Sequence, residues 1–306
     1  MNTDFFKNAF FQKPSVKKPL LSLYNAYWES MARLMSDEAY LKFIYKQRFH
    51  RELDLQNPQS FNEKLNWLKL YDRNPLYTQL ADKYRVKQIV ADKIGTKYVV
   101  PNYGVWKRFD DIDFESLPNQ FVLKATGDSS GVIICKDKST FDKRKAKKRL
   151  NHSMHTNYFY RTREWPYKNI KPQIIADMLL DEGTGHELRD YKFWCFNGEP
   201  KVMYFTNKGA HITENFYDMD FNPVLDIDHG FPRVQPEFEK PICFDEMKNL
   251  ASKLSQGIPF VRVDFFFVGG KVYFGEFTFY DWAGLFPFKN YEMDLRIGES
   301  LVLPSK

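Results

Sequence analysis

A single stretch near the carboxyl end of the chain, residues 260–280, constrains the fold most. Apolar and polar side chains alternate along it, and Gly269 and Gly270 interrupt the alternation. Strict alternation on both sides of a glycine pair predicts a β-hairpin. One face of this hairpin is apolar, and the other carries Arg262, Asp264, Glu276 and Thr278. A polar face of this kind is either the solvated side of a sheet or a Mg²⁺ site, because Mg²⁺ prefers carboxylate oxygens.

The register of the hairpin separates these two interpretations. A two-residue loop would place Asp264 opposite Gly275 and would turn Glu276 to the other face. A three-residue loop that includes Lys271, or a β-bulge, places Asp264 opposite Glu276. We predict this second register. Cross-strand neighbours lie within about 5.5 Å, so both carboxylates would reach one metal site, and a cation would relieve their repulsion.

Composition sets the class of protein. The chain has 306 residues, of which 43% are hydrophobic and 17% aromatic, which predicts a folded protein of one large domain or two to three lobes. The three cysteines are too widely spaced to predict a disulfide framework or a zinc site. No long apolar segment or signal peptide is evident, so we expect a cytoplasmic protein. The net charge of +6 favours an anionic ligand of unspecified kind.

The first third of the chain is predicted to be helical. Apolar residues recur at helical spacing over residues 19–53. Ser60 and Glu63 have the spacing of a capping box, which predicts a helix start, and Pro75 ends that helix. A further amphipathic helix is predicted over residues 76–95.

Strands dominate the rest of the chain. Asn197 and Gly198 lie between two apolar runs and are typical of a tight hairpin. A helix is predicted over residues 244–256, after a loop-rich connection over residues 212–241. The remaining predicted elements are a short strand at residues 98–101, a strand–loop–strand unit at 121–138, a strand at 172–180 and a short closing segment after residue 292.

Two features of the middle of the chain could contact an anion. Backbone N–H groups of the glycine-bounded loop, residues 127–131, could cradle a phosphate, with Lys124 adding charge. The loop matches neither a P-loop nor a dinucleotide-binding fingerprint. The basic run at residues 141–150 suits a phosphate, an anionic membrane surface or RNA, but a solvated helix face is the favoured interpretation. His152 and His155 have no acidic or cysteine neighbour and are interpreted as surface residues.

The order of these parts resembles the ATP-grasp superfamily. The phrases that carry the resemblance are FNEKLNWLKLYDRNPLYTQLADKY, VLKATGDSSGVII, ELRDYKFWCFNG and PFVRVDFFFVGGKVYFGEFTFY. Their combination is similar to the TupA-like ATP-grasp family of bacterial surface-polysaccharide loci. The resemblance implies an α+β ATP-grasp fold, with two α+β lobes gripping ATP and an N-terminal helical extension. The implied divisions are an extension at residues 1–60, a substrate and ATP lobe at 61–120, a glycine-loop subdomain at 121–180 and a C-terminal lobe with the Mg²⁺ site at 181–306.

The resemblance also implies a role for individual residues. Lys83, Lys124 and Arg262 are the implied catalytic residues, with the two lysines on ATP phosphates and Arg262 beside the reacting acyl phosphate. Asp177 stands where the superfamily commonly has Glu, and Thr278 stands where many members have Asn. The implied ATP-binding residues are Lys83, Lys124, Gly127, Ser129, Ser130, Gly131, Ile175, Asp177, Met178, Leu179, Lys192 and, for the ribose, Asp181 or Glu182. The implied metal ligands are Asp264, Glu276 and Thr278.

By resemblance, the protein is an ATP-dependent carboxylate–amine ligase that uses Mg²⁺ and forms an acyl phosphate. The family context implies a uronic acid, free or linked to a nucleotide or lipid, as the carboxylate, and an amino acid or another amine as its partner. No nucleic-acid partner is expected. We hypothesise that the helical extension and the basic run bring an anionic, lipid-linked sugar to the inner face of the cell membrane.

Two other classes of function stay open from the sequence. A metal-dependent glycosyltransferase would need an Asp-x-Asp motif, and both Asp218-Met219-Asp220 and Asp226-Ile227-Asp228 have that spacing. A non-catalytic binding protein with an ATP-grasp-like scaffold is the other alternative, because Thr278 departs from the family pattern.

Overall fold

A computed structural model of the chain describes residues 32–128, 131–182, 188–208 and 212–305. Residues 19–31 of the helix predicted over residues 19–53 lie outside these ranges, as do Ser129 and Ser130 of the predicted phosphate loop. Within the described part, helix α1 covers Asp37–Phe49 and ends where His50 takes a left-handed conformation. The predicted helix therefore stops four residues before residue 53.

Local capping signals define the next two helices. Helix α2, Phe61–Tyr71, begins with the predicted capping box, in which the Ser60 side chain accepts a hydrogen bond from the Glu63 backbone and the Glu63 side chain accepts one from Ser60. Helix α3, Pro75–Ala81, begins at a proline after the Asn74 cap. Both starts agree with the sequence prediction, because caps act through neighbouring residues only.

The single helix predicted over residues 76–95 is wrong. The chain forms two helices, α3 and α4 (Arg85–Ile94), with a break between them. Asp82 causes the break, since its side chain accepts hydrogen bonds from the backbone N–H groups of Tyr84 and Arg85 and so competes with helical pairing. Lys83 lies in the break, and its backbone N–H donates to Thr126 across 3.1 Å.

A four-stranded antiparallel sheet follows these helices, with strand order β1-β4-β2-β3. Its strands are β1 (Asn102–Trp106), β2 (Phe121–Ala125), β3 (Val132–Cys135) and β4 (Ile174–Asp177). The strand predicted at residues 98–101 is wrong, because backbone hydrogen bonds from Tyr98 to Gly95 and from Val99 to Thr96 form a 3₁₀ turn there. Helix α5 (Lys143–His155) packs on this sheet through Ala146 and Leu150, and the short α6 (Phe159–Thr162) comes next.

A six-stranded antiparallel sheet fills the second half of the chain, with strand order β10-β9-β5-β6-β7-β8. Asn197 and Gly198 both have positive φ, as the predicted tight hairpin between β5 and β6 requires. The predicted loop-rich connection over residues 212–241 is wrong at its start, because β7 and β8 form there. The strands are β5 (Tyr191–Phe196), β6 (Glu199–Lys208), β7 (Ile212–Tyr217), β8 (Pro223–Val224), β9 (Phe260–Val268) and β10 (Lys271–Thr278).

The hydrophobic core sits mainly against the six-stranded sheet. Helix α7 (Phe244–Ser255), predicted from the sequence, buries Met247 and Leu254 against it, and the closing segment forms helix α8 (Tyr291–Glu299). A smaller apolar cluster lies between the four-stranded sheet and α5. Across the described ranges, every helix is too short or too polar to cross a membrane.

Candidate active site

The β9–β10 hairpin brings the two predicted metal-binding carboxylates together through a β-bulge. Gly269 and Gly270 form a two-residue turn, because Lys271 pairs with Val268. A bulge between Phe274 and Phe277 then shifts the register by one residue, so that Asp264 faces both Gly275 and Glu276. Of the two routes to the predicted register, the structure has the bulge and not the three-residue loop.

Gly275 makes this bulge possible. A Cβ atom at this position would lie 3.0 Å from the backbone oxygen of Asp264 and 3.2 Å from the ring of Phe266. A side chain here would have to displace these neighbours by a few tenths of an ångström, so glycine suits the close approach of the two strands.

A cavity of about 310 Å³ lies between the two sheets and beside this hairpin. Side chains from β2 and β3 form one wall, and β9 and β10 form the other. Most of the lining is apolar and includes Val86, Val100, Val122, Ile134, Met178, Leu179, Leu180, Phe266 and Phe274. The polar lining residues are Lys83, Lys87, Lys124, Asp177, Asp190, Asp264 and Glu276. An apolar slot with few convergent charged groups is typical of a ligand site.

Two lysines converge on the buried carboxylate of Asp177. Lys124 Nζ lies 3.0 Å from Asp177 Oδ2, and Lys87 Nζ lies 3.0 Å from Asp177 Oδ1. Lys87 also donates to the backbone oxygen of Val100 across 2.9 Å. Burial lowers the pKa of Lys87, although the neighbouring Asp177 opposes this shift. The sequence does not single out Lys87, because a lysine on a helix is usually a solvated charge.

Arg262 does not line the cavity itself, but it contacts the two carboxylates that do. Its Nε and Nη2 atoms donate to Asp264 Oδ1 and Oδ2 across 2.7 and 2.6 Å, so this pair is bidentate. Glu276 lies 3.6 Å from Arg262 Nη2 and 3.3 Å from Lys83 Nζ. The two carboxylates are thus held by two cations of the protein.

Burial and neighbouring charges give Asp264 and Glu276 different pKa values. Burial raises the pKa of Asp264 to about 6, although the charge of Arg262 opposes the rise. Burial would raise the pKa of Glu276 as well, but the charges of Lys83 and Arg262 outweigh it and lower that pKa to about 2. Glu276 is therefore ionised throughout the neutral range, and Asp264 is mostly so.

The carboxylates of Asp264 and Glu276 fit a divalent cation whose remaining ligands are oxygens of a bound phosphate. Asp264 and Glu276 supply oxygen ligands only, and within the described residues no cluster of three or more His, Cys, Asp or Glu side chains could hold a metal by itself. Mg²⁺ commonly uses one or two carboxylates and completes its shell with phosphate oxygens and water. Thr278 pairs with Arg262 in the β9–β10 ladder and is not part of the cavity lining.

The other predicted ATP-binding residues divide into two groups. Met178 and Leu179 line the cavity, directly after β4. Lys192 lies on β5 opposite Asp264 and forms an ion pair with Asp190 across 2.9 Å. Gly127, Gly131, Ile175, Asp181 and Glu182 are described but do not line the cavity. Gly131 has a structural reason to be glycine, because a Cβ there would lie 2.6 Å from Ser153 Oγ.

Both Asp-x-Asp motifs lie in turns outside the cavity. Asp218 accepts backbone hydrogen bonds from Asp220 and Asn222, across 2.9 and 2.7 Å. Asp226 pairs with Arg296 of α8. These contacts explain the aspartates as turn and surface residues, so the structure gives the glycosyltransferase alternative no support.

Comparison with known proteins places the chain in a family. The profile described as TupA-like ATPgrasp matches residues 63–302, whereas no curated protein matches the sequence. The chain resembles a Helicobacter pylori D-alanine–D-alanine ligase structure at 16% identity and a TM-score of 0.42, covering 80% of this chain and 70% of the ligase.

Two further solved structures are similar at the same level. D-cycloserine synthetase DcsG matches at 15% identity and a TM-score of 0.40, covering 74% of this chain and 70% of DcsG. The ATP-grasp ligase PsnB with Mg and ADP matches at 9% identity and a TM-score of 0.42. That match covers 78% of this chain but only 64% of PsnB, so the chain spans less than two thirds of that ligase. The family profile covers most of the described fold and the whole candidate site, and the chain therefore belongs to the TupA-like ATP-grasp family.

Proposed function

We propose that the protein is an ATP-dependent ligase that joins a carboxylate to an amine through an acyl phosphate. One observation carries the proposal: a largely apolar cavity between two sheets is lined by Lys83, Lys87 and Lys124 and by the Asp264–Glu276 pair. A nucleoside triphosphate likewise combines an apolar base with a charged phosphate chain, and that chain binds to lysines and to a metal ion.

Each part of the cavity suits one part of ATP. The apolar wall with Met178 and Leu179 would hold the adenine ring. Lys83 and Lys124 would neutralise the phosphates, and Asp181 or Glu182 would contact the ribose. Residues 127–131 would close over the phosphates. Asp264 and Glu276 would hold Mg²⁺, which supplies charge neutralisation and alignment of the phosphates when it is bound.

The proposed reaction has two steps. An oxygen of the substrate carboxylate attacks the γ-phosphorus, the bond to the β–γ bridging oxygen breaks, and ADP leaves. The amine nitrogen then attacks the acyl carbon, phosphate leaves, and the nitrogen loses a proton. Lys83, Lys124 and Arg262 stabilise the negative charge that develops in both steps, and the closed cavity excludes water from the acyl phosphate.

The substrate part of the proposal rests on the family context. We propose a uronic acid as the carboxylate, free or linked to a nucleotide or lipid, and an amino acid or another amine as its partner, in the synthesis of a surface polysaccharide. The proposed division of labour assigns residues 61–120 to substrate and ATP, residues 121–180 to the glycine-rich loop and residues 181–306 to the Mg²⁺ site. The exposed basic residues of α5 would contact the anionic inner face of the membrane.

ADP and phosphate release tests the proposal. Protein and Mg-ATP are incubated with uronic acids and nucleotide-linked uronic acids, with and without pooled amino acids, beside an Asp264→Asn control. The proposal predicts ADP release that needs both a carboxylate and an amine and that is lost in the control. ADP release that does not depend on the carboxylate or the amine, or that persists in Asp264→Asn, would contradict the proposal.

A further inference from the structure

Arg262 is shared between two carboxylates. Beyond its bidentate pair with Asp264, its Nη1 atom donates to Asp281 Oδ1 across 2.6 Å. Tyr204 holds the same Asp281 oxygen, since its hydroxyl donates to Oδ1 across 2.9 Å. Asp281 is only 2% exposed, and its other oxygen, Oδ2, has no hydrogen-bond partner among the described residues. A buried carboxylate oxygen without a donor is costly, so its presence calls for a functional explanation.

The backbone after Asp281 is strained. Trp282, Ala283 and Gly284 have φ values of 47°, 57° and 55°. Two of the three carry side chains, which rarely adopt the left-handed region. Strain of this kind persists only where the surrounding structure enforces it, and it is concentrated at functional sites.

Helix α2 enforces the strained turn. The fully buried Lys69 donates to the backbone oxygen of Ala283 across 2.6 Å, and Asn66 donates to that of Gly284 across 2.7 Å. These two donors fix the turn, and the turn fixes Asp281 against Arg262. Two buried polar side chains of α2 thus determine the position of the Asp281 carboxylate.

The bidentate pair conflicts with the metal-binding role of Asp264. An Asp264 that gives both oxygens to Arg262 cannot give one to a divalent cation without losing part of that pair. The unoccupied Oδ2 atom of Asp281 can accept a second Arg262 N–H group in exchange. We propose that Asp281 is a positioning residue that retains Arg262 when Asp264 becomes a ligand of a divalent cation. This inference rests on the proposed function, because that function makes Asp264 a metal ligand.

The inference is tested by the metal-dependent part of nucleotide binding. Affinity for a non-hydrolysable ATP analogue is measured by calorimetry with saturating Mn²⁺ and without divalent cation, and the ratio is the metal enhancement. Asp281→Asn leaves Arg262 with Asp264 as its main partner, so the enhancement should fall about tenfold or more. The affinity without metal should change by less than about twofold. Arg262→Ala removes the side chain that competes with the metal for Asp264. Adding Asp281→Asn to that variant should therefore leave the metal enhancement unchanged.

Control variants separate positioning from folding. Asp294→Asn removes another carboxylate that is 2% exposed, on α8 and bonded to Asn62, and should leave the enhancement unchanged. If Asp281→Asn does not fold, Tyr204→Phe removes the hydroxyl that holds Asp281 and should lower the enhancement by a smaller factor. An unchanged enhancement in the folded Asp281 or Tyr204 variant would overturn the inference alone. Wild-type protein that binds the analogue without any Mn²⁺ enhancement would overturn the proposed metal site as well.

Discussion

At the scale of single residues, the site is organised by buried charges whose partners come from distant parts of the chain. Asp177 has 3% side-chain exposure and lies between Lys87 and Lys124. Its two oxygens are each used by a different lysine. The carboxylate therefore holds two cations in place in the cavity wall, where they would otherwise repel each other.

Asp177→Asn should lower the free energy of unfolding by about 2–4 kcal/mol, because it leaves two partly buried lysines without their counter-charge. Urea unfolding followed by circular dichroism measures the change. Asp110→Asn is a matched control, since Asp110 pairs with Lys147 at the exposed surface, and it should change stability little. Equal losses in the two variants would contradict the role assigned to Asp177.

Asp294 makes stability depend on pH. Burial raises its pKa to about 6, from the usual 3.8 of an aspartate, so the folded state binds the proton more tightly than the unfolded state. Its contribution to stability is therefore present below pH 4 and is lost as the pH rises to 6. Asp294→Asn removes this dependence, and the variant should gain about 3 kcal/mol relative to wild type between pH 4 and pH 7. Urea unfolding at both pH values measures the gain, and a constant difference would refute the assignment.

At the scale of elements, the carboxylate pair depends on a bulge that the sequence specifies indirectly. The glycine pair and the alternating pattern predicted the hairpin and its polar face. They could not predict whether the extra residue lies in the turn or in a bulge, because both arrangements place Asp264 opposite Glu276. Gly275 is the sequence signal for the bulge, but the alternating pattern around it predicts a regular strand.

Gly275→Ala should disrupt the bulge. Its new Cβ atom would lie 3.0 Å from the Asp264 backbone oxygen, and overpacking of this kind costs about 1–3 kcal/mol. Because the strands must separate, we also expect weaker Mg²⁺-dependent binding of an ATP analogue, measured by calorimetry. Lys271→Ala, at the exposed tip of the same hairpin, is the control and should leave both quantities unchanged. A stable Gly275→Ala protein with normal binding would show that the bulge is dispensable.

Capping and turn signals predicted more of the helices and hairpins than periodicity did. Ser60, Glu63 and the Asn197-Gly198 pair act through neighbours in sequence, and the structure has them as expected. The helix predicted over residues 76–95 failed, because the apolar period continues through Asp82 while its side chain ends the helical pairing. Lys87 was missed for a related reason: its partner Asp177 is distant in sequence, and only the packing of α4 against the four-stranded sheet brings them together.

At the scale of the whole molecule, the cavity joins two sheets that have separate apolar clusters. The lysines come from the break after α3, from α4 and from β2, whereas the carboxylate pair comes from β9 and β10. A ligand that fills the cavity would contact both sheets. Sequence order and resemblance predicted which segments meet, but not Asp281 and its strained turn, since left-handed Trp282 and Ala283 have no sequence signature.

A calorimetric titration with a non-hydrolysable ATP analogue and Mg²⁺ tests whether this cavity binds ATP. We expect one site per chain, with affinity reduced about tenfold or more in Lys83→Met and in Glu276→Gln, because each variant removes one charged residue of the cavity lining. Unfolding temperatures of the variants, measured in parallel, show that they are folded. Absence of binding by the wild type, or equal affinity in all three proteins, would contradict the assignment of this cavity to ATP.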